Sequence, residues 1–292
     1  MLAAGAGTRL RPLTDRLPKP LAPMLGRPVA ARLLHQLEPL GLEAVAMNLH
    51  HGADLIERVL GPGPVYLREQ WLRGTAGALA GAGEFLRAGG DFLVVSADGV
   101  HEVDLAALIA RHQQSGAAAT VTVKRIARPE TCAIVELDPG AMVQRFVEKP
   151  APGEVFTNLA SIGMYCFRAD VLDAIPPDRP FDIAGELIPL LLGRGDPVAA
   201  YETAAWWSDV GDPAELLAAN LELAGDAHVL PGCEIAVDAR IEPPAVVGPR
   251  ARVGEGAVVR RALVLPGAEV PAGAVVEDRI HGSCDVLMRR LI

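Results

Sequence analysis

The amino-acid sequence predicts an α/β protein in which a mostly parallel sheet carries helices on both faces, followed by a short β-solenoid. From residue 1 to about 225, apolar strand-like runs alternate with segments of helical period, which is typical of parallel sheets. From about residue 229 the period becomes six, which neither a helix nor a flat strand produces. The chain has 292 residues, 50% of them hydrophobic, which is enough for a sizeable core.

Polar and glycine-rich breaks divide the first part of the chain into strands and helices. Strands are predicted at Glu43–Asn48, Asp91–Ser96, Ala118–Lys124, Cys132–Leu137 and Ile162–Phe167. Helices are predicted at Val29–Leu40, Ala76–Leu86 and Leu105–Ser115. Ligands of such folds bind outside the carboxyl ends of the strands, so functional residues are expected there.

The tail is defined by aliphatic residues that recur at every sixth position. They stand at Val229, Ile235, Ile241, Val247, Val253 and Val259 and, after a one-residue slip, at Val264, Val270 and Val276. In a β-solenoid each short strand contributes one such inward side chain, and small residues turn the corners. The alternative is an irregular tail rich in proline and glycine. We therefore predict two domains, residues 1–226 and 227–292, with roughly two to three coils that lean on the main domain or on another subunit.

Composition excludes several classes of protein. The 27 basic and 36 acidic residues give a net charge of −9, which argues against general binding to DNA or RNA. No apolar run approaches the ~20 residues of a membrane-spanning helix, and the N-terminal residues lack the pattern of a signal peptide. Four cysteines without a C-x-x-C pair fit a reducing cytoplasm: Cys132, Cys166, Cys233 and Cys284. The lysines are Lys19, Lys124 and Lys149, and all other basic residues are arginine.

A glycine-rich segment near the N-terminus concentrates positive charge. It reads Leu2-Ala3-Ala4-Gly5-Ala6-Gly7-Thr8-Arg9, and Arg11, Arg16 and Lys19 follow with one acid, Asp15. Small residues let backbone amides approach a phosphate or a base closely. The segment lacks the G-K-[ST] of a Walker A loop, and Leu10 fills the third glycine position of a dinucleotide fingerprint. An ordinary glycine-rich turn with solvated arginines is the alternative.

Five ordered segments resemble the signature of the sugar-1-phosphate nucleotidyltransferases. They are GAGTRLRPLT with PKP (residues 5–20), EQWLRGTAGAL (69–79), VVSAD (94–98), FVEKP (146–150) and WSDVGDP (207–213). The resemblance implies a Rossmann-like α/β domain, and the tail resembles the left-handed β-helix of hexapeptide-repeat proteins. The implied reaction is attack of a sugar-1-phosphate oxygen on the α-phosphorus of a nucleoside triphosphate, with pyrophosphate as the leaving group.

The resemblance also implies roles for individual residues. Arg9 and Lys19 hold the triphosphate, while Asp98 and Asp209 jointly hold Mg²⁺, a cation that prefers oxygen ligands. These four are the predicted catalytic residues. The implied nucleotide-binding residues are Leu2, Ala3, Gly5, Ala6, Gly7, Thr8, Arg9, Glu69, Gly74 and Thr75, with Gln70 as an alternative to Glu69. The implied sugar-phosphate-binding residues are Ala133, Glu148, Lys149 and Ser161.

Each of these residues also has a purely structural interpretation. Asp98 could cap the loop after its strand. Asp209 could cap the helix that begins near Pro213, although Asp212 is better placed to do so. The glutamate and lysine of F-x-E-K-P could be a solvated pair at a hairpin. The glycine and threonine of the second segment could simply begin an ordinary helix.

Some positions depart from the family pattern. Ala133 stands where a glycine is common, Ser161-Ile162-Gly163 where N-A-G is common, and Asp212 where the family has the threonine of G-T-P. The bulkier side chains predict a narrowed or reshaped sugar pocket. Family members usually have about five residues before the L-A-A-G segment, as a central strand, which is here reduced to Met1-Leu2-Ala3. We therefore expect either a start upstream of Met1 or a chain that has been shortened at its N-terminus.

Taken together, the motifs are most similar to those of mannose-1-phosphate guanylyltransferases, which predicts GTP and mannose-1-phosphate as substrates. A thymidylyl- or uridylyltransferase acting on glucose-1-phosphate is the alternative, because a few hydrogen bonds decide which base is bound. A non-catalytic subunit that senses nucleotide sugars is a third hypothesis, but a sensor has no need of the full metal and phosphate set. We expect a cytoplasmic protein without nucleic-acid or membrane partners, and a homo-oligomer formed through the tail.

Overall fold

The computed structural model describes residues 1–283, and its larger part alternates strands with helices. The strands are β1 (Pro23–Met24), β2 (Arg27–Pro28), β3 (Ala46–Leu49), β4 (Val65–Arg68), β5 (Phe92–Val94), β6 (Val100–His101), β7 (Ala119–Arg125), β8 (Ala133–Leu137), β9 (Val143–Glu148), β10 (Leu159–Phe167), β11 (Val198–Glu202) and β12 (Trp207–Ser208). The α-helices are α1 (Val29–Leu37), α2 (Ala53–Leu60), α3 (Gly74–Gly81), α4 (Gly83–Gly89), α5 (Leu105–Ser115), α6 (Ile188–Arg194) and α7 (Pro213–Ala224). A π-helical turn, Ile183–Leu187, precedes α6. Short 3₁₀ turns lie at Thr8–Leu10, Leu13–Asp15, Lys19–Leu21, Glu38–Leu40, Pro129–Thr131 and Ala169–Ala174.

The tail consists of shorter strands separated by turns. They are β13 (Ala227–Val229), β14 (Glu234–Ile235), β15 (Arg240–Glu242), β16 (Ala245–Val247), β17 (Arg252–Val253), β18 (Val258–Arg260), β19 (Leu263–Val264), β20 (Glu269–Val270), β21 (Val275–Glu277) and β22 (Ile280–His281). Cys284 and the residues after it, which end the predicted second domain, lie outside the described residues.

The central sheet is mostly parallel, as predicted. β3 pairs in parallel with β4, and β7 pairs in parallel with β11. Leu2 bridges in parallel to Asn48 of β3 and to Ser96, which follows β5. β10 runs antiparallel to its neighbours: β7 lies along one edge, and β5 and β8 share the other. Strands β3, β4, β5, β7 and β11 therefore run in one direction, while β10 and the β8–β9 hairpin supply the antiparallel pairs.

Helices cover both faces of this sheet, because alternate residues of its strands pack against different helices. Val94 and Phe167 belong to an apolar cluster that includes residues of α3 and α6. Their sequence neighbours Val95 and Cys166 belong to a different cluster, which includes residues of α1 and α5. Adjacent residues of a strand point to opposite faces, so the two clusters are the two covered sides of the sheet.

Two predicted helices are shorter than expected. The helix predicted at Ala76–Leu86 is interrupted at Ala82 and forms α3 and α4. Gly81 and Gly83 flank the break, and glycine weakens a helix interior. The helix predicted at Val29–Leu40 ends at Leu37 and continues as a 3₁₀ turn that contains a proline, which cannot donate an α-helical hydrogen bond.

The tail forms three short parallel sheets whose register follows the six-residue period. The sheets are β13-β16-β19-β22, β14-β17-β20 and β15-β18-β21. The periodic residues of successive coils face each other: Val247 pairs with Val264, Val253 with Val270, and Val259 with Val276. All six of these side chains are buried. The stacking is compatible with a β-helix and rules out an irregular tail.

The tail leans on the main domain through a shared apolar core. That core joins Leu21 and Met24 of the N-terminal region, Leu216 of α7, and Val246 and Val264 of the tail. The sheet that begins with β13 is thus the face that packs inward. Of the two predicted arrangements, packing on the main domain is the one observed.

Met1 and Leu2 occupy the centre of the sheet, between β3 and β5. The Met1 ammonium is buried and donates to the Ala46 carbonyl at 2.8 Å, and this burial lowers its pKa to about 5. Met1, Val45 and Phe92 are among the residues that line a cavity of about 610 Å³. Among residues 1–283 no helix has the length and apolar character needed to cross a membrane.

Candidate active site

The glycine-rich segment forms an open loop that ends against Lys19. Gly7 has a φ of +60°, and a Cβ atom there would lie 2.9 Å from the Cβ of Lys19. The Thr14 hydroxyl donates to the Gly7 carbonyl at 2.7 Å and fixes this turn. The N–H groups of Gly5 and Ala6 have no acceptor among residues 1–283, and both residues are exposed. The loop therefore offers backbone donors to an anion beside a buried ammonium.

Lys19 joins two loops that each carry an aspartate. Its Nζ donates to Asp98 Oδ2 at 2.8 Å and to the backbone carbonyl of Asp209 at 2.8 Å. Lys19 is only 7% exposed, so these contacts are shielded from water. Asp98 follows β5 at the carboxyl edge of the sheet, where an α/β fold binds its ligands. The structure thus brings three of the four predicted catalytic residues together.

A short strand pair explains why the two aspartates are neighbours. β6 and β12 pair antiparallel, with Ser208 opposite Val100. Gly99 then lies so close to the second loop that a Cβ atom there would be 4.0 Å from the Asp209 Cα. Sequence-distant loops are therefore held side by side by backbone hydrogen bonds.

Arg9, the fourth predicted catalytic residue, lies at the same site but is loosely held. Its Nη2 is 3.6 Å from Asp209 Oδ2, and its side chain is 70% exposed. Because Gly211 lacks a side chain, the guanidinium can lie against its backbone: a Cβ there would be 3.0 Å from both Arg9 Nη atoms. An exposed guanidinium with a weak partner is available to a phosphate.

The loop that carries Asp209 is fixed by the start of α7. Asp212 caps this helix by accepting from the Glu215 N–H at 2.9 Å, so the helix cap is Asp212 and not Asp209. The Glu215 carboxylate in turn accepts from the Gly211 N–H at 2.7 Å. Burial raises the pKa of the Glu215 carboxyl, and its hydrogen bond with Asp209 raises it further. Glu215 was not predicted, although the spacing D-x-x-E after Val210 is a recognisable capping signal.

The two aspartates fit a divalent cation that shares its ligands with a substrate. Their side chains are 34% and 46% exposed, so both are accessible from the open side of the site. No cluster of three or more His, Cys, Asp or Glu side chains suited to a metal occurs in the described part of the chain. A pair of carboxylates suits Mg²⁺, which commonly completes its shell with phosphate oxygens and water. The donor set does not suit a metal that needs sulfur or imidazole.

The predicted base-recognition loop is anchored rather than free. The Thr75 hydroxyl donates to Asp182 Oδ2 at 2.7 Å and accepts from the Ile183 N–H at 2.8 Å. Gly74 has a φ of +75°, and a Cβ there would lie 2.5 Å from the Phe181 carbonyl oxygen. Both residues therefore shape the loop, and the Thr75 hydroxyl is already engaged within the protein.

A buried amide links this loop to the glycine-rich segment. Asn48 Oδ1 accepts from the Ala3 N–H at 2.8 Å, and Asn48 Nδ2 donates to Glu69 Oε1 at 2.9 Å. Leu2 lies beside Asn48 in the sheet. The predicted nucleotide-binding residues of the two segments are thus connected through a residue that the motifs did not reveal.

The predicted sugar-phosphate residues lie on the β8–β9 hairpin and on β10. Ala133 is the cross-strand partner of Glu148, and both Ala133 and Ser161 are buried. Lys149 has a φ of +42°, and its Nζ lies 3.3 Å from Glu148 Oε1. Its side chain is 68% exposed, so the ammonium faces an open surface.

Two further residues that were not predicted, Tyr165 and Cys132, lie beside the predicted sugar-phosphate residues. The Ser161 hydroxyl donates to the Tyr165 hydroxyl at 3.3 Å. Burial raises the pKa of Tyr165, and the Glu148 carboxylate adds to the effect. Burial also raises the pKa of the Cys132 thiol, with smaller contributions from Asp209 and Glu148.

Comparisons with known proteins were made for the whole chain. The family model described as "Nucleotidyl transferase" matches residues 1–225. The chain is 30% identical to a mannose-1-phosphate guanylyltransferase of Mycobacterium tuberculosis, over 95% of this chain and 82% of that protein. It is 28% identical to a UTP–glucose-1-phosphate uridylyltransferase of Synechocystis, over 96% of this chain and 81% of that protein. A solved structure assigned as a glucose-1-phosphate thymidylyltransferase of Bacillus anthracis superposes with a TM-score of 0.66 at 22% identity, over 75% of this chain and 92% of that one.

Proposed function

Because this chain belongs to the nucleotidyl transferase family, whose model matches residues 1–225, we propose that it transfers the nucleotidyl group of a nucleoside triphosphate to a sugar-1-phosphate and releases pyrophosphate. One observation carries the proposal. Lys19 donates hydrogen bonds of 2.8 Å to the Asp98 carboxylate and the Asp209 carbonyl, beside the open glycine-rich loop. A buried ammonium, two carboxylates and free backbone donors are the groups that a reaction between two phosphates needs.

The reaction joins two polyanions, so the first task of the site is to neutralise charge. A sugar-phosphate oxygen forms a new bond to the α-phosphorus, and the bond from that phosphorus to the bridging oxygen breaks as pyrophosphate leaves. The exposed Arg9 guanidinium and the Lys19 ammonium would bind the triphosphate. The attacking oxygen is already ionised at neutral pH, so no residue has to act as nucleophile or general base.

Mg²⁺ is the cofactor that we propose, with Asp98 and Asp209 as its protein ligands. When bound, it would offset the negative charge on the reacting phosphates. Lys19 supports this pair in two ways. It orients one Asp98 oxygen, and its contact with the Asp209 carbonyl fixes the backbone of the second ligand.

The hairpin is the proposed site of the sugar phosphate. The exposed Lys149 ammonium would bind the phosphate, and Glu148 would accept hydrogen bonds from sugar hydroxyls. The positive φ of Lys149 is unusual for a residue with a side chain and supports a functional position. The buried Ala133, with its methyl group directly across from Glu148, narrows this pocket relative to a glycine.

GTP and mannose-1-phosphate are the substrates that we favour. Support comes from the names of relatives, including the Mycobacterium tuberculosis protein at 30% identity. A glucose-1-phosphate uridylyl- or thymidylyltransferase is the second candidate, because the Synechocystis relative at 28% identity is a UTP–glucose-1-phosphate uridylyltransferase and a thymidylyltransferase differs from it only in the nucleotide it accepts. The base loop and the hairpin pocket would decide between them.

For the tail we propose a left-handed β-helix that contributes to a homo-oligomer. The three stacked sheets support the first part. The two sheets turned away from the main domain carry ion pairs such as Glu234–Arg252 at 3.0 Å and Arg260–Glu277 at 2.7 Å. An oligomer formed through these faces would therefore be polar and sensitive to salt.

The proposal is tested by a matrix of nucleoside triphosphates against sugar-1-phosphates in the presence of Mg²⁺. GTP, UTP and dTTP are each combined with mannose-1-phosphate and glucose-1-phosphate, and pyrophosphate is measured. We expect release with at least one pair, and the fastest with GTP and mannose-1-phosphate. Silence with every pair, together with tight binding of a nucleotide sugar, would favour a sensing subunit instead.

A further inference from the structure

Asn48 occupies an unusual place for a polar side chain. It lies in β3 near the middle of the central sheet and is 9% exposed. Both ends of its amide are nevertheless satisfied. The oxygen accepts from the Ala3 N–H at 2.8 Å, and the nitrogen donates to Glu69 Oε1 at 2.9 Å. The other Glu69 oxygen accepts from the Arg73 N–H at 3.4 Å.

These contacts connect two loops that leave different strands. The glycine-rich loop follows Leu2 and Ala3, and the base loop, residues 69–75, follows β4. The backbone of Glu69 is already held, because its N–H donates to the Leu49 carbonyl at 2.7 Å. What Asn48 adds is the orientation of the Glu69 carboxylate relative to the glycine-rich loop. Only a group that accepts on one side and donates on the other can make both contacts.

We infer that Asn48 is a positioning residue for the nucleoside triphosphate: it sets the geometry between the loop that binds phosphates and the loop that reads the base. The inference rests on the proposed function, which assigns these two loops to the nucleotide. Removing one partner of a buried hydrogen bond destabilises the protein. Exchanging both partners, so that a donor still meets an acceptor, does not. Asn48 should therefore affect the nucleotide and leave the sugar phosphate unchanged.

An exchange of the two partners tests the inference sharply. Asn48→Asp still accepts from the Ala3 N–H but sets a second carboxylate against Glu69. We expect it to raise the KM for the nucleoside triphosphate roughly tenfold, with the KM for the sugar-1-phosphate unchanged. Adding Glu69→Gln supplies the missing donor from the other side. Because Glu69 is itself a proposed nucleotide-binding residue, the double variant is compared with Glu69→Gln alone: its KM for the nucleoside triphosphate should lie within about threefold of that single variant, because the acceptor and donor have only changed places.

Asn220 provides a matched control for loss of stability. It is a fully buried asparagine that accepts from the Leu25 N–H at 2.9 Å and donates to the Pro23 carbonyl at 3.1 Å, away from both loops. Asn220→Asp should lower Tm without a selective change in the nucleotide KM. If Asn48→Asp behaves in the same way, or raises both KM values equally, the positioning role is wrong.

Nucleotide binding measured by calorimetry separates this inference from the proposed function. Titration with GTP, UTP and dTTP measures nucleotide affinity, which depends on both loops, without requiring turnover. If the wild-type protein is active but the double variant does not recover nucleotide affinity, the inference is wrong and the proposed function stands. The wild-type protein could instead bind a nucleotide but show no turnover. If Asn48→Asp then weakens nucleotide binding and the double variant restores it, the inference alone stands. Absence of both turnover and nucleotide binding would overturn both.

Discussion

Replacing Lys19 with arginine keeps the positive charge but changes its shape, and we expect kcat/KM to fall about 100-fold. Lys19 is 7% exposed, and its Nζ is within 2.8 Å of both the Asp98 carboxylate and the Asp209 carbonyl. Its stem passes under Gly7, where even an added Cβ would lie 2.9 Å from the Lys19 Cβ. The Lys19 stem is therefore confined beside Gly7, and its ammonium is held between two oxygen acceptors.

The magnitude follows from the displacement that a guanidinium requires. The guanidinium is planar and longer than an ammonium, so it must push aside either Asp98 or the backbone of Asp209. A shift of about 1 Å in a catalytic group is enough to cost roughly 100-fold in rate. Lys19→Met would in addition leave the half-buried Asp98 carboxylate without its ion-pair partner. For that variant we expect a loss of roughly 1–3 kcal/mol in the free energy of unfolding.

The assay combines pyrophosphate release with thermal unfolding. Lys124→Arg is the matched control, because Lys124 Nζ also donates to two carbonyls, those of Ala204 and Ala205 at 2.9 and 2.8 Å, outside the proposed phosphate site. We expect that control to stay within about twofold of wild type. Wild-type kcat/KM in Lys19→Arg would refute the reasoning, since it would show that charge alone is sufficient.

Three other changes test different parts of the site and the fold. Asp98→Asn and Asp209→Asn should each abolish turnover in a folded protein, with a lower Tm for Asp98→Asn because it removes the carboxylate that pairs with the buried Lys19, and near-normal Mg²⁺-dependent turnover in either would contradict the metal assignment. Gly211→Ala places a Cβ 2.8 Å from Glu215 Oε2 and 3.0 Å from both Arg9 Nη atoms, so kcat/KM should fall roughly 10- to 100-fold as the guanidinium and the Glu215 carboxylate that fixes this loop are displaced. Burial lowers the pKa of His101 to about 4. The unfolded chain therefore binds this proton first, and the free energy of unfolding should fall by up to roughly 3 kcal/mol as pH drops from about 6.5 to 4. Urea titrations at several pH values would measure the loss, and His101→Gln should reduce its slope.

Each of these predictions has its own control or contrary result. Gly193→Ala adds a methyl group where nothing lies within 4 Å, so it should leave kcat/KM unchanged. Equal rates in Gly211→Ala and Gly193→Ala would mean that Arg9 tolerates displacement. A loss of unfolding free energy with falling pH that is as steep in His101→Gln as in wild type would mean that folding does not lower the pKa of His101.

Much of the site could be predicted from sequence because its main residues sit in local motifs. The glycine-rich loop, Asp98 at the end of a strand and the loop of Asp209 are each recognisable within a few residues. The tail could also be predicted from the sequence, because its register depends on one side chain in six. The one-residue slip before Val264 appears in the observed strand pairs as well.

The residues that sequence reasoning missed act across long stretches of chain. Thr75 is anchored by Asp182, 107 residues away, and Asn48 reaches Glu69, 21 residues away. No local spacing indicates such partners, because they meet only when separate strands end at the same edge. The same limit applies to Lys124, which lies in none of the five motif segments and fixes the chain segment before β12 through two carbonyls.

The most direct test of the central claim follows the α-phosphate itself. The protein is incubated with Mg²⁺, a sugar-1-phosphate and a nucleoside triphosphate labelled at the α-phosphate, and the products are separated. We expect the label to appear in a nucleoside diphosphate sugar, with one pyrophosphate formed for each product molecule. Label that remains in the triphosphate with every sugar-1-phosphate, or that appears only in free nucleoside monophosphate, would contradict nucleotidyl transfer to a sugar-1-phosphate.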